Sequence, residues 1–245
     1  MTGAAFFDLD RTLLRRSSAL ALAGTFRKRG LISRRNMARA ALWQLLFVLR
    51  GASEKQVRRL ADRGLGALAG IRPEDLAALV GEAMEPVLKP LLAPSVVQVA
   101  RDLGGRGYRT YIVSTALQEI VDAIAADLQL EGGIGTMCEV VDGVYTGRAL
   151  RALHGREKAV AVQELAAAEG SDLAISTAYS DSYSDLPFLE VVGQPVAVNP
   201  DRALRRVAQQ RGWAILEGSH RPLPPAVYVL PLLLGLALAA RTHAT

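Results

Sequence analysis

Apolar positions change their spacing along this chain, and the changes divide it. Residues 4–9, Ala-Ala-Phe-Phe-Asp-Leu, are a short apolar run closing on Asp8 and Asp10. Such a run predicts a central parallel strand buried on both faces. From residue 17 to 92 no strand pattern occurs. Apolar residues fall instead at helical spacing: Leu20, Ala23 and Phe26, then Met37, Ala41, Leu45 and Val48, then Val57, Leu60 and Leu65, then Leu76, Leu79, Val80 and Met84. About four helices are predicted. The breaks at Gly30, at Gly51 with Ser53, and from Gly70 to Pro73 stand where helix stops and N-caps belong.

After Pro94 the pattern alternates. A helix over 95–103 leads into a strand over 108–113 and a helix over 117–128. A hairpin over 140–145 turns at Asp142-Gly143, and a helix over 157–168 and a strand over 173–178 follow. A short helix at 186–191, a strand at 196–198, a last helix and a strand at 213–216 complete the series. This predicts an α/β fold, a doubly wound parallel sheet, with a helical insertion. Residues 1–16 and 93–220 would form the α/β body, 17–92 the insertion, and 221–245 an apolar tail.

In the tail, residues 222–240 are almost wholly apolar, with Arg221 and Arg241 at the flanks. Three readings stay open: a membrane anchor, a helix docked on the body or on a second copy, and a disordered end. The run is near the lower limit of the roughly 17 to 25 residues that span a bilayer, and Pro231 weakens a spanning helix. The formal charge of +5 and pI of about 9.6 favour anionic partners. The excess is local, at Arg11, Arg15 and Arg16 and again from Arg27 to Arg39. The latter run reads as a solvated helix face or as a patch for anionic lipid. One cysteine, Cys138, allows no internal disulfide and suits a reducing cytoplasm. The opening residues lack the order of a secretory signal, which argues against export.

Candidate chemistry begins with Asp8 and Asp10, two apart at a strand end, so that their carboxylates project to one side. Two such acids repel unless a cation lies between them. Mg²⁺ answers that need, since it takes oxygen ligands and bridges carboxylates to phosphates. Thr12 follows, where its hydroxyl and backbone can fix the turn. Ser114 ends an apolar strand before a helix, a place for a phosphoryl oxygen or simply for an N-cap. Lys158 opens a helix, where a cation opposes the macrodipole, so a nearby anion is expected. Asp181 and Asp185 flank a strand-to-helix turn, as helix caps or as metal ligands. His154 reads as a loop residue.

Taken together, Asp8-Leu-Asp10-Arg-Thr12, Ser114, Lys158 and Asp181-x-x-x-Asp185 resemble the four motifs of the haloacid dehalogenase superfamily. The insertion resembles the cap of its phosphoserine-phosphatase-like branch. That resemblance implies Asp8 as nucleophile and Asp10 as general acid and base. Thr12, Ser114, Thr115 and Lys158 would hold the phosphoryl group, with Lys158 also neutralising charge. Asp8, Asp181 and the backbone carbonyl of Asp10 would bind Mg²⁺, and Asp185 would support that shell or Lys158.

The expected activity is phosphate monoester hydrolysis through an aspartyl phosphate, on a small or lipid-linked ester. An acid at position 10, rather than threonine, favours hydrolysis or a phosphomutase. Phosphoserine phosphatases carry an acid shortly after the first motif, where this chain has Ser17 and Ser18. Arg15 and Arg16 are either solvated or suited to a more anionic substrate. The rival readings are a phosphomutase and a non-catalytic, membrane-associated binding protein. No nucleic acid partner is expected. The expected location is cytoplasmic, with the tail as the one route to a membrane.

Overall fold

Residues Ala4–Phe7 form β1, and all four are buried, as an apolar strand must be when neighbours flank both edges and helices cover both faces. The computed structural model describes residues 2–30 and 65–217. In it β1 lies at the centre of a seven-stranded sheet with β2 (Arg109–Leu117), β3 (Gly132–Val141), β4 (Val144–Arg151), β5 (Thr177–Ser180), β6 (Gln194–Val198) and β7 (Ala214–Leu216). The order is β4-β3-β2-β1-β5-β6-β7. Every pairing is parallel except that of β3 with β4.

The described helices are α1 (Ser18–Lys28), α2 (Pro73–Ala83), α3 (Pro94–Gly105), α4 (Gln118–Leu128), α5 (Arg156–Glu169), α6 (Leu186–Leu189) and α7 (Arg202–Arg211). Alternation along β1 sends Ala5 and Phe7 to one face and Ala4 and Phe6 to the other. The first face shares one buried cluster with Val96, Ile120 and Ile124 of α3 and α4, and the cluster continues through Leu22 and Leu76 into α1 and α2. The second packs on Val162, Phe188 and Leu204, from α5, α6 and α7. This is the doubly wound arrangement that the β/α alternation predicts. Phe6 stacks on Tyr111 with centroids 5.9 Å apart, and Phe7 on Tyr179 at 4.5 Å, tying β1 to both neighbours. Because the strand order runs outward from β1 in one direction through β2 and in the other through β5, the switch-point crevice where sheets of this kind bind ligands falls at the carboxyl ends of β1 and β5.

The chain leaves the sheet after Leu14 and returns at Leu92. The two crossings are laced together: the Arg15 N–H donates to the Leu91 carbonyl at 2.8 Å and the Ala93 N–H to the Leu13 carbonyl at 2.8 Å. The Arg15 guanidinium donates to the Pro90 carbonyl, so this arginine serves the crossing. In α1 the buried positions are Ser18, Leu22 and Phe26, whereas Leu20 is 47% exposed. Of the three positions expected to face the core, Phe26 is buried and Ala23 is half-buried, while Leu22 rather than Leu20 supplies the buried leucine. The predicted helices between Met37 and Leu60 and the apolar tail lie outside the described residues. Among the described residues no helix is long and apolar enough to cross a membrane.

Three elements differ from the sequence reading. Strand β2 continues to Leu117 through an irregularity after Val113, so α4 begins at Gln118. Strand β3 begins eight residues before Val140 and pairs in parallel with β2 before it turns into the hairpin. Its start is hidden by Gly132, Gly133 and Gly135. A Cβ on Gly133 would lie 2.4 Å from Val121 Cγ1, and one on Gly135 would lie 2.8 Å from the Gln118 backbone; α4 can sit on this strand only without side chains there. Residues Leu173–Ile175 form a 3₁₀ turn rather than strand, with the Asp172 carboxylate accepting the Ala174 N–H, and β5 is displaced to Thr177–Ser180.

Candidate active site

Strand β1 ends at Phe7, so Asp8 and Asp10 stand in the turn beyond it and not in the strand. The turn is closed by the Thr12 and Leu14 N–H groups on the Leu9 carbonyl, at 3.3 and 2.8 Å, and by Leu13 N–H on the Asp8 carbonyl at 3.3 Å. The Asp8 N–H continues the sheet to the Tyr179 carbonyl at 2.9 Å. The Asp8 side chain is thereby held in the crevice, buried. The Asp10 Oδ1 accepts the backbone N–H of Ser18 at 2.8 Å, at the start of α1. Thr12 departs from expectation: its backbone fixes the turn, but its buried hydroxyl has no hydrogen-bond partner among the described residues.

Lys158 is the third residue of α5, and its side chain is 1% exposed. Its ammonium donates to Asp8 Oδ1 at 2.6 Å and to Asp185 Oδ2 at 2.7 Å. These two anions explain how a cation is tolerated at a helix N-terminus. Burial works against the ammonium, yet Asp185 and Asp8 outweigh it and raise the Lys158 pKa. The ring of Phe188 lies 5.5 Å from the same nitrogen.

Asp181 and Asp185 follow β5, whose Ser180 hydroxyl donates to Asp185 Oδ2 at 2.7 Å. Neither side chain caps a helix, although Asp185 occupies the N-cap position of α6. Ser182 takes the local capping role by accepting the Ser184 N–H, which leaves Asp185 to Lys158. Asp181 is buried and pairs with the Arg11 Nε at 3.0 Å. Burial, with repulsion from Asp185 and Asp10 and relief from Lys158, pushes Asp8 up to about 6. Burial with repulsion from Asp8 and Asp185, eased by Arg11, pushes Asp181 up to about 8. Asp10 is raised by burial, with the Ser18 hydrogen bonds opposing.

Ser114 is fully buried. The pairing of Phe7 with Ile112 sets it at the same end of the sheet as Asp8. It lies within β2, and its Oγ accepts the Ala116 N–H at 3.1 Å, so it does not cap α4. Thr115 is exposed, and its carbonyl accepts the Thr136 hydroxyl at 2.8 Å. His154 is an exposed loop residue.

Three participants escaped the sequence reading: Arg11 on Asp181, Ser180 on Asp185, and Asp201. The Asp201 carboxylate caps α7 through Ala203 and Leu204 N–H and also accepts the Tyr183 N–H at 2.9 Å. Its own N–H donates to the Asp181 carbonyl at 2.8 Å. An Asn-Pro-Asp turn before a helix is a capping signal, but its reach to the Asp181 loop is a tertiary fact.

The family of haloacid dehalogenase-like hydrolases matches residues 5–190. A probable phosphatase of Mycobacterium tuberculosis is 39% identical over 219 residues, covering 89% of this chain and 76% of that protein. A phosphoserine phosphatase of the same organism is 37% identical over 220 residues, covering 88% and 70%. A solved structure of a protein of unknown function from Bordetella pertussis Tohama I superposes with a TM-score of 0.78 at 32% identity, over 88% of this chain and 99% of that one. On this match and on the Asp8, Lys158 and Asp181 to Asp185 arrangement at the crevice, the chain belongs to the haloacid dehalogenase-like hydrolases and is a phosphatase-type enzyme of that family.

Proposed function

We propose that this enzyme hydrolyses phosphate monoesters of small molecules, with Asp8 as nucleophile and Mg²⁺ as cofactor. One observation carries the reading: the Lys158 ammonium is held between Asp8 and Asp185 beside a third buried acid, Asp181. Four acids, Asp8, Asp10, Asp181 and Asp185, gather around one buried ammonium and one half-exposed guanidinium. The upward shifts of Asp8 and Asp181 come first from burial, with repulsion among the neighbouring acids adding to it. An oxygen-rich site of this kind fits a hard divalent cation. Mg²⁺ takes only one or two protein carboxylates and completes its shell with water and phosphate oxygens, a demand that Asp8 and Asp181 could meet.

Asp8, Asp181 and the Asp10 carbonyl would hold the ion. Bound there, Mg²⁺ would supply the positive charge that lets one anion attack another. Lys158 engages Oδ1 of Asp8, orienting the carboxylate so that its other oxygen can attack phosphorus, and Lys158 with Ser114 would hold phosphoryl oxygens. As the ester bond breaks, a protonated Asp10 would give its proton to the leaving alkoxide; burial favours that protonated form. The resulting Asp10 carboxylate would then take a proton from the water that cleaves the aspartyl phosphate. Asp185 and Ser180 position Lys158. The insertion between Leu14 and Leu92 would act as a cap over the substrate.

For the substrate, the similarity to a phosphoserine phosphatase favours a phosphorylated small molecule. Ser17 and Ser18 supply no acid to meet a serine ammonium, which favours an ester other than phosphoserine. The test is Mg²⁺-dependent phosphate release from a panel that includes phosphoserine, sugar phosphates and lysophosphatidate, run beside Asp8→Asn. Release should fall by at least about a thousandfold in the variant. Undiminished release by Asp8→Asn would overturn the mechanism.

A further inference from the structure

Arg11 follows the second acid of the first motif, and its backbone takes φ +65°. That left-handed region suits glycine or asparagine and is strained for a long side chain. The turn carries the Arg11 guanidinium back to the crevice, where Nε meets Asp181 Oδ2 at 3.0 Å. The two side chains are unequally placed. Asp181 is 7% exposed, and Arg11 is 50% exposed. Lys158, the other nearby cation, is already divided between Asp8 and Asp185.

We propose that Arg11 is a built-in counter-cation for Asp181 that opposes divalent metal binding, so that loading of the site and withdrawal of the guanidinium are linked. This rests on the reading of Asp181 as a metal ligand. When it is ionised and no metal is bound, a buried carboxylate with Asp8 and Asp185 close by needs a positive charge. Arg11 supplies it from the turn's outer edge. Its head is half in water already, so leaving costs little desolvation, whereas Lys158 has no such exit. A guanidinium and a divalent cation on the same carboxylate repel each other, and the pair that forms first lowers the affinity of the second. The arginine therefore sets the Mg²⁺ concentration at which the site fills.

The experiment is calorimetric titration of Mg²⁺ into the full chain, as wild type, Arg11→Asn, Arg11→Lys and Asp181→Asn. Asparagine is chosen because it accepts the left-handed backbone. Arg11→Asn should bind Mg²⁺ more tightly by roughly three- to tenfold, with Arg11→Lys near wild type. The gap between wild type and Arg11→Asn should narrow as KCl is raised, since the opposing charge is partly in water. If Asp181→Asn binds Mg²⁺ as well as wild type, the metal reading of Asp181 fails. If Asp181→Asn loses the ion while Arg11→Asn binds it no more tightly than wild type, the metal reading stands and the proposal for Arg11 is overturned.

Discussion

The Lys158 ammonium lies 2.6 Å from Oδ1 of Asp8, a residue 150 positions earlier in the chain, and the two are buried together. Burial of each is tolerable because the other is there, and the second contact with Asp185 leaves this cation shared between two anions. Asp185 is itself anchored by Ser180. The pair thus joins the first turn of α5 to the ends of β1 and β5.

Replacing Lys158 with Met removes the charge and keeps much of the volume. Asp8 and Asp185 would then be buried without a cation, at a cost of about 3 kcal/mol. Urea denaturation of the metal-free protein should show that loss. Adding Asp185→Asn to Lys158→Met should return part of it, because one of the stranded charges is gone. A double variant as unstable as the sum of the two single variants would contradict the shared-cation account.

The metal-free protein should become less stable as pH rises. Asp8 and Asp181 are held at about 6 and about 8 in the fold, above the 3.8 of an unperturbed aspartate, and Asp10 is shifted the same way. The folded state therefore binds their protons more tightly than the unfolded chain does. The stabilisation is fully present below about pH 4 and is lost as pH passes through about 6 and then about 8. Lys158 and Arg11 moderate the loss but do not reverse it. Melting in EDTA should occur at a higher temperature at about pH 5 than at about pH 8. With saturating Mg²⁺ the trend should flatten, because the ion favours the ionised carboxylates. A melting temperature in EDTA that climbs steadily from pH 5 to pH 8 would count against the shifts.

Asp201 links two loops at the crevice, accepting N–H groups from Tyr183, Ala203 and Leu204. Asp201→Ala should destabilise the fold by about 1 kcal/mol or somewhat more, as loss of an N-cap does. Mg²⁺ affinity should weaken as well, since the Asp181 segment loses a restraint; Asp201→Asn keeps one acceptor oxygen, so it should recover the helix cap but not the Tyr183 bond, and stability should return more fully than affinity. If Asp201→Ala lowers stability but leaves Mg²⁺ affinity at the wild-type value, Asp201 is a helix cap and nothing more.

Elements whose burial is uniform or strictly periodic were readable in the sequence. The run Ala-Ala-Phe-Phe announces β1 because a strand covered on both faces has no polar side to show. The alternation after Pro94 likewise announces a doubly wound sheet. The acids and the lysine of the candidate site were legible because each stands at a strand end or helix start, where residue type and position together carry meaning. Strand β3 was not legible. Its entry is glycine where α4 approaches, and glycine leaves no hydrophobic signal. Residues Leu173–Ile175 look like strand by composition, but the Asp172 cap turns them into 3₁₀.

Local order in the chain thus determined the fold class, the central strand and the identity of the acids beside it. Only the tertiary structure decided which charge meets which: Lys158 with Asp8 and Asp185, Arg11 with Asp181, Asp201 with the Tyr183 loop. Periodicity and capping depend on neighbours within a turn or two, and so leave a trace in sequence. The pairing of buried charges depends on where distant strands end, and that is settled only when the sheet has assembled.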